Sequence, residues 1–143
     1  MKKLMSVCLI IVMMMSAFSV TSSAAELYFN ELVDDVYYVA YEDAAMVTGF
    51  DFDENDVSPK PGITIPEKIT LDGAEYAVIG IFDQAFYMCD YTSITLPSTI
   101  TYMGSGAFMS SPYLEDVVIP NDCEFQFFGD DVFIDTPFEA EIY

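Results

Sequence analysis

Almost every side chain in this sequence that could do chemistry is a carboxylate. Its 143 residues include 24 Asp and Glu, three Cys, four Lys, and no His or Arg. Without an imidazole there is no Ser-His or Cys-His nucleophilic system and no imidazole metal site. Two suitably separated carboxylates could serve a glycosidase, yet no spacing in the chain singles out a pair. Asp51, Asp53 and Asn55 are spaced like the first ligands of a calcium loop. Asp56 and Gly62 then stand where such a loop needs Gly and Glu, and Pro59 and Pro61 intervene. The stretch therefore reads as an acidic connecting loop. No catalytic residue, metal or cofactor is expected. Leu96-Pro97-Ser98-Thr99 begins like a sortase signal, but Ile100 replaces the Gly that such a signal requires.

The first residues set the compartment. Met1 to Ala25 has Lys2 and Lys3, an apolar run from Leu4 through Val20, and then Thr21-Ser22-Ser23-Ala24-Ala25. This is the layout of a secretory signal peptide, with cleavage expected after Ala24 or Ala25. The apolar run is short for a membrane span of about 20 residues, and Cys8 lies inside it, away from any lipoprotein cleavage site. Removing the segment leaves Lys60 and Lys68 against all 24 acids. Such a polyanion repels phosphate backbones and anionic lipid, which argues against nucleic-acid partners and against a membrane surface. No membrane insertion is expected once the signal is cleaved. The expected location is secreted, either extracellular or at the cell surface.

The remaining chain is organised by repetition. Ile94-x-Leu96-Pro97-x-x-Ile100-x-x-Met103-Gly104-x-x-Ala107-Phe108-x-x-Ser111 is preceded by Ile81-Phe82-x-x-Ala85-Phe86-x-x-Cys89. It is followed by Val117-x-Ile119-Pro120-x-x-Cys123 and Phe128-Gly129-x-x-Val132-Phe133-x-x-Thr136. The spacing falls in the range of solenoid repeats. In each unit a short alternating strand ends at Pro, which cannot donate to a continuing ladder, and Gly104 is expected to permit the next turn. Phe86, Phe108 and Phe133 should stack as an interior ladder beside the inward Leu96 and Ile119, a core that no unit could bury alone. Asp72-Gly73, between Ile69-Thr70-Leu71 and Tyr76-Ala77-Val78, predicts a β-hairpin insertion in the first unit. Val36–Tyr41 and Ala45–Phe50 predict a second hairpin, placed to cover the exposed end of the first repeat. Cys89 and Cys123 fall at different positions of the unit. Both therefore read as small apolar core residues rather than a disulfide pair.

These units resemble the BspA-like leucine-rich repeat, whose copies carry an Ile-x-Leu-Pro strand, an Ile-Gly turn and an Ala-Phe-x-x-Cys segment. The resemblance covers Gly62 to Pro137. Phe82 stands in place of the turn Gly, Ser111 and Thr136 replace the Cys, and two extra residues separate Cys123 from Phe128. The resemblance implies a secreted or surface-exposed binding or adhesion module with no catalytic residues to carry over.

The expected architecture is mainly β: a leucine-rich repeat solenoid of about three units with an N-terminal β-hairpin cap. Residues 1–25 form the signal peptide, 26–61 the β cap and acidic linker, and 62–143 the repeat domain. The last stretch, Pro137 to Tyr143, is expected to be a cap, a partner-covered end or the end of a fragment. With Ile63, Ile65, Ile94, Leu96, Val117 and Ile119 turned inward, Thr64, Ser93, Thr95, Asp116 and Val118 line the outer face of the strands. Only one of these five is charged. In so acidic a chain, such a face is where an extended protein or polysaccharide surface could approach without electrostatic penalty. The alternative is a structural accessory module, or a remnant of a longer surface repeat protein, with no ligand of its own.

Overall fold

The computed structural model describes residues 30–138. The signal segment expected over residues 1–25 and the last part of the expected C-terminal cap lie outside the described residues. The strands are β1 (Glu31–Val33), β2 (Val36–Tyr41), β3 (Ala44–Phe50), β4 (Ile63–Thr64), β5 (Lys68–Leu71), β6 (Ala74–Ile81), β7 (Ser93–Thr95), β8 (Tyr102–Met103), β9 (Asp116–Val118) and β10 (Phe127–Phe128). They form two sheets. One is the parallel set β4-β7-β9, and the other runs β1-β2-β3-β6-β8-β10 with β5 paired to β6.

Each coil of the solenoid contributes one short strand to each sheet, so the fold is a mainly β leucine-rich repeat solenoid. The first sheet is the alternating strand before each Pro. Ile63 aligns with Ile94, which aligns with Val117. The second sheet carries a strand that the sequence pattern does not reveal: Tyr102–Met103 and Phe127–Phe128 pair in parallel with each other, and Tyr102–Met103 pairs with Gly80–Ile81. Two-residue strands are too short to display alternation, so these positions read in the sequence only as the approach to a turn.

Both expected hairpins form. Asp72 (φ 49°) and Gly73 (φ 81°) turn β5 into β6, the left-handed pair that a tight two-residue hairpin loop requires. The N-terminal hairpin β2–β3 joins the second sheet through a parallel pairing of β3 with β6. It is extended by β1, which the sequence pattern does not mark and which reaches β2 through Asp34 and Asp35 (φ 47° and 66°).

The interior ladder is longer than the three expected rings. Phe86 and Phe108 stack at 5.4 Å and 11°, and Phe108 and Phe133 at 5.4 Å and 4°. Phe50 at the end of β3 continues the stack onto Phe86 at 5.9 Å and 13°. At the other end Phe138 meets Phe133 edge-on at 5.0 Å. The cap is thus seated by the repeat's own interior aromatic contact.

Around the ladder, Phe86 N donates to Ala107 O and Phe108 N to Val132 O, while Met88 N donates to Met109 O and Ser110 N to Ile134 O. Two left-handed residues per coil aim these groups: Gln84 and Met88, then Gly106 and Ser110, then Asp131 and Asp135. Ser111, in the position of the family's Cys, accepts from Cys89 N at 3.1 Å and donates to Phe86 O at 2.9 Å, tying its coil to the one before.

Gly104 has a different role from the one expected of it. Its φ is not left-handed, so conformational freedom is not the requirement. A Cβ there would run into the backbone of Phe82 and Asp83 in the preceding coil. The glycine is needed for close approach of neighbouring coils.

Candidate ligand-binding face

The outward face of β4-β7-β9 is built by strand alternation alone. Ile63, Ile94 and Val117 turn inward, and the residues between them turn out. The register places Thr64, Thr95 and Val118 in one row across the three strands, and Ser93 beside Asp116 in the row before it. All five candidate residues therefore share one face. Thr64, Asp116 and Val118 are exposed, Val118 at 45%, while Ser93 and Thr95 are half-buried by their neighbours. Gly62 completes the earlier row: a Cβ there would collide with the Ser93 hydroxyl group. Of the inward residues, Leu96, Phe86 and Phe108 are at most 1% exposed and Phe133 is at 9%, whereas Ile119 is half-buried, since no further described coil covers it.

Electrostatically, this face is flanked by an ion pair that nothing in the sequence pattern announces. Asp90 is 3% exposed, and its Oδ2 lies 3.1 Å from Lys60 Nζ. Lys60 N donates to Asp90 O at 2.7 Å and Thr92 N to Lys60 O at 3.0 Å, which pins the end of the acidic loop beside the sheet. The Lys60 ammonium also sits 5.9 Å from the centre of the Tyr91 ring. Burial, with added repulsion from Asp35 and Asp90, pushes the Tyr91 hydroxyl up to about 12. Among the described residues that hydroxyl has no hydrogen-bond partner. Asp90 missed attention in the sequence because it is one acid among many. The signal that marks it is position: it follows Cys89, at the point where the chain re-enters the first sheet.

The remaining candidates for chemistry are accounted for locally. In the acidic loop, Asp53 Oδ1 accepts from Asn55 N at 2.9 Å and Asp56 Oδ1 accepts from Ser58 N at 3.1 Å. Hydrogen bonding by the Asn55 backbone and side chain holds the Asp53 carboxyl, and hydrogen bonding by the Ser58 side chain and backbone holds the Asp56 carboxyl, below the usual range. No group of three or more His, Cys, Asp or Glu among the described residues is placed to hold a metal ion. Cys89 and Cys123 are free thiols. Burial raises both, so neither is activated as a nucleophile. Cys123 is half-buried rather than fully interior, its Sγ 3.6 Å from Pro97 O.

The second sheet offers an outer face of opposite character. Gly80, Tyr102 and Phe127 share a row, with Tyr102 and Phe127 stacked at 4.8 Å and Phe127 45% exposed. One face of the coil is thus hydroxyl-bearing and the other aromatic.

Residues 63–140 match the model of the BspA type leucine rich repeat region (6 copies). Among solved structures, the fold is similar to a leucine-rich repeat protein from Bacteroides ovatus at 26% identity and a TM-score of 0.63, covering 73% of this chain and 27% of that one. It is similar also to a leucine rich cell surface protein from Faecalibacterium prausnitzii at 26% identity and a TM-score of 0.52, covering 71% of this chain and 25% of that one. A leucine-rich repeat protein from Bacteroides capillosus shares the fold at 19% identity and a TM-score of 0.56, covering 76% of this chain and 93% of that one. The chain therefore spans about a quarter of the length of the first two. No curated protein matches it. Among the described residues no helix is long and apolar enough to cross a membrane.

Proposed function

The chain belongs to the BspA-type leucine-rich repeat family, and from that premise we propose that it is a secreted, non-catalytic binding and adhesion module that meets a protein or polysaccharide surface through the outer face of β4-β7-β9. The observation that carries this reading is the composition of that face. Thr64, Ser93, Thr95, Asp116 and Val118 lie together on short, rigid strands, and one of the five is charged in a chain of net charge −20. A polyanion can approach a polar extracellular surface closely only where its own charge is sparse. Rigid strands hold the contacting groups in place before the ligand arrives, which lowers the ordering cost of binding.

The layout of residues 1–25 supports the reading of secretion, which fits the cell-surface description of the Faecalibacterium prausnitzii relative. An accessory role without a ligand is the second reading, favoured by the chain's covering only about a quarter of that relative's length. A glycan and extracellular-protein array probed with residues 26–143 decides between them. Saturable binding to one class of glycan or protein supports the binding module. An array with no saturable signal leaves the accessory role.

A further inference from the structure

The register of the larger sheet sets Val39, Met46, Gly80, Tyr102 and Phe127 side by side on five neighbouring strands. Val47, Ile81 and Met103, one residue further along their strands, are fully buried, so alternation turns the row itself outward. Gly80 keeps that row unbroken. A Cβ there would come within 2.6 Å of Met46 Cε and 3.0 Å of Tyr102 Cβ. The Met46 side chain therefore lies over the glycine and reaches toward Tyr102, which stacks in turn on Phe127 at 4.8 Å. Val39 is nearly covered, Met46 and Tyr102 are half-buried, and Phe127 is exposed. At about 4.8 Å between strands, the row from Val39 to Phe127 makes an apolar strip about 19 Å long.

Carboxylates border the strip at both ends of its strands. Strands β3, β6, β8 and β10 run parallel, so their starts lie on one rim and their ends on the other. Glu42 and Asp43 precede β3 and Glu124 precedes β10 on the first rim, while Asp83 follows β6 and Asp130 follows β10 on the second. Glu42, Asp43, Glu124 and Asp130 are exposed. Burial, with added repulsion from Asp83, raises the Tyr102 hydroxyl, so that charge stands beside the strip. The described residues supply no free cation against these acids. They include no Arg or His, and Lys60 is committed to Asp90 at 3.1 Å and Lys68 to Glu75 at 2.7 Å.

We propose that this strip is a docking surface for a cationic amphipathic helix, whose apolar stripe lies across Met46, Tyr102 and Phe127 while its Lys and Arg residues reach the acidic rims. An apolar strip bordered by unneutralised acids favours a partner that brings both an apolar stripe and positive charge. A second copy of this chain brings the same acids and is repelled, as are nucleic acid and anionic lipid. A neutral glycan gains nothing from the rims. The length also fits: about 13 residues of helix, at 1.5 Å each, cover about 19 Å. A stripe at i, i+3, i+4 and i+7 leaves both flanks of such a helix to Lys and Arg. Arg gains a further contact, its guanidinium on the exposed Phe127 ring. The strip lies on a different sheet from Thr64, Thr95 and Val118 and does not depend on what binds there.

A labelled helix-forming peptide of about 13 residues, built from Leu and Lys in amphipathic order, tests the proposal by fluorescence anisotropy with residues 26–143. Two further peptides, one with the same residues scrambled to erase the stripe and one with every Lys replaced by Gln, separate charge from pattern. Saturable binding of the amphipathic peptide is expected, at least about tenfold tighter than that of either control, and weaker at ~0.15 M salt than at ~0.01 M. Phe127→Ser should weaken it about tenfold or more, as loss of an aromatic anchor does. The triple variant Glu42→Gln, Asp43→Asn, Asp130→Asn should weaken it and reduce its salt dependence. Absence of saturable binding, equal affinity for the scrambled peptide, or unchanged affinity of the folded Phe127→Ser variant overturns the proposal. NMR of the unaltered chain gives a reading that needs no variant. The Met46 methyl and the Gly80 amide should shift on adding the amphipathic peptide while the Thr64 and Thr95 amides stay in place; shifts confined to the acidic loop around Asp53 would overturn the proposal as well.

Discussion

Replacing Lys60 by Met leaves the Asp90 carboxylate in place, 3% exposed, without its counter-ion. At 3.1 Å and an effective dielectric constant of about 20, the attraction between unit charges is roughly 5 kcal/mol. Lys60 is itself 29% exposed, so water screens part of that. A cost of about 2–3 kcal/mol is expected, somewhat below the 3–5 kcal/mol typical of stripping one partner from a fully buried pair. Met keeps the aliphatic stem of the lysine, so little of the effect comes from lost packing. The reverse change behaves differently. Asp90→Asn leaves a lysine that can turn into solvent and should cost about 1 kcal/mol. The double variant should recover to near the Asp90→Asn value. With a urea m-value of about 1–2 kcal/mol/M for a domain of this size, Lys60→Met lowers the midpoint by about 1–3 M. Circular dichroism and tyrosine fluorescence follow the transition, since the chain has no Trp. A Lys60→Met midpoint equal to wild type, or an Asp90→Asn loss as large as that of Lys60→Met, would refute the buried-pair reasoning.

Phe108 is fully buried with a ring on each side at 5.4 Å, so Phe108→Ala should cost about 3–5 kcal/mol; an unchanged urea midpoint would contradict the stacked ladder. Tyr91 titrates near 12 when folded against an ordinary 10, so the unfolded state loses its proton first and the stability present below pH 10 falls as pH rises toward 12. Tyr91→Phe should flatten that alkaline loss in urea titrations between pH 9 and 12. It should cost little at pH 7, because the hydroxyl it removes has no hydrogen-bond partner among the described residues. With 24 acids repelling one another, the melting temperature should climb from low salt to about 0.15 M, where the Debye length is about 8 Å; a flat or falling profile by calorimetry would mean that the acids are paired.

What could be read from the sequence was whatever repeats or turns sharply. The Leu-Pro and Ala-Phe spacing gave the coil, Asp72-Gly73 gave the inserted hairpin, and alternation about Ile94 and Val117 gave the outer face. The features that could not be read depend on contacts between distant segments. The parallel strands at Tyr102–Met103 and Phe127–Phe128 have no length in which to show a period. Asp90 is buried, and its counter-ion Lys60 reaches it from the acidic loop, 30 residues earlier in the chain. Phe50 belongs to the ladder because β3 docks against β6, a pairing no local pattern encodes. Gly104 was legible as a glycine that matters, but the backbone it must approach lies one coil away.

The most direct test of recognition through the outer sheet face is the affinity of the Thr95→Lys, Val118→Lys double variant for whichever glycan or protein an array identifies, measured by isothermal titration alongside wild type. Both side chains stand on one row of that face and outside the core, so the circular dichroism spectrum and melting temperature should stay close to wild type. Loss of binding by the folded variant is the predicted result. Undiminished binding would contradict the assignment of the ligand to this face.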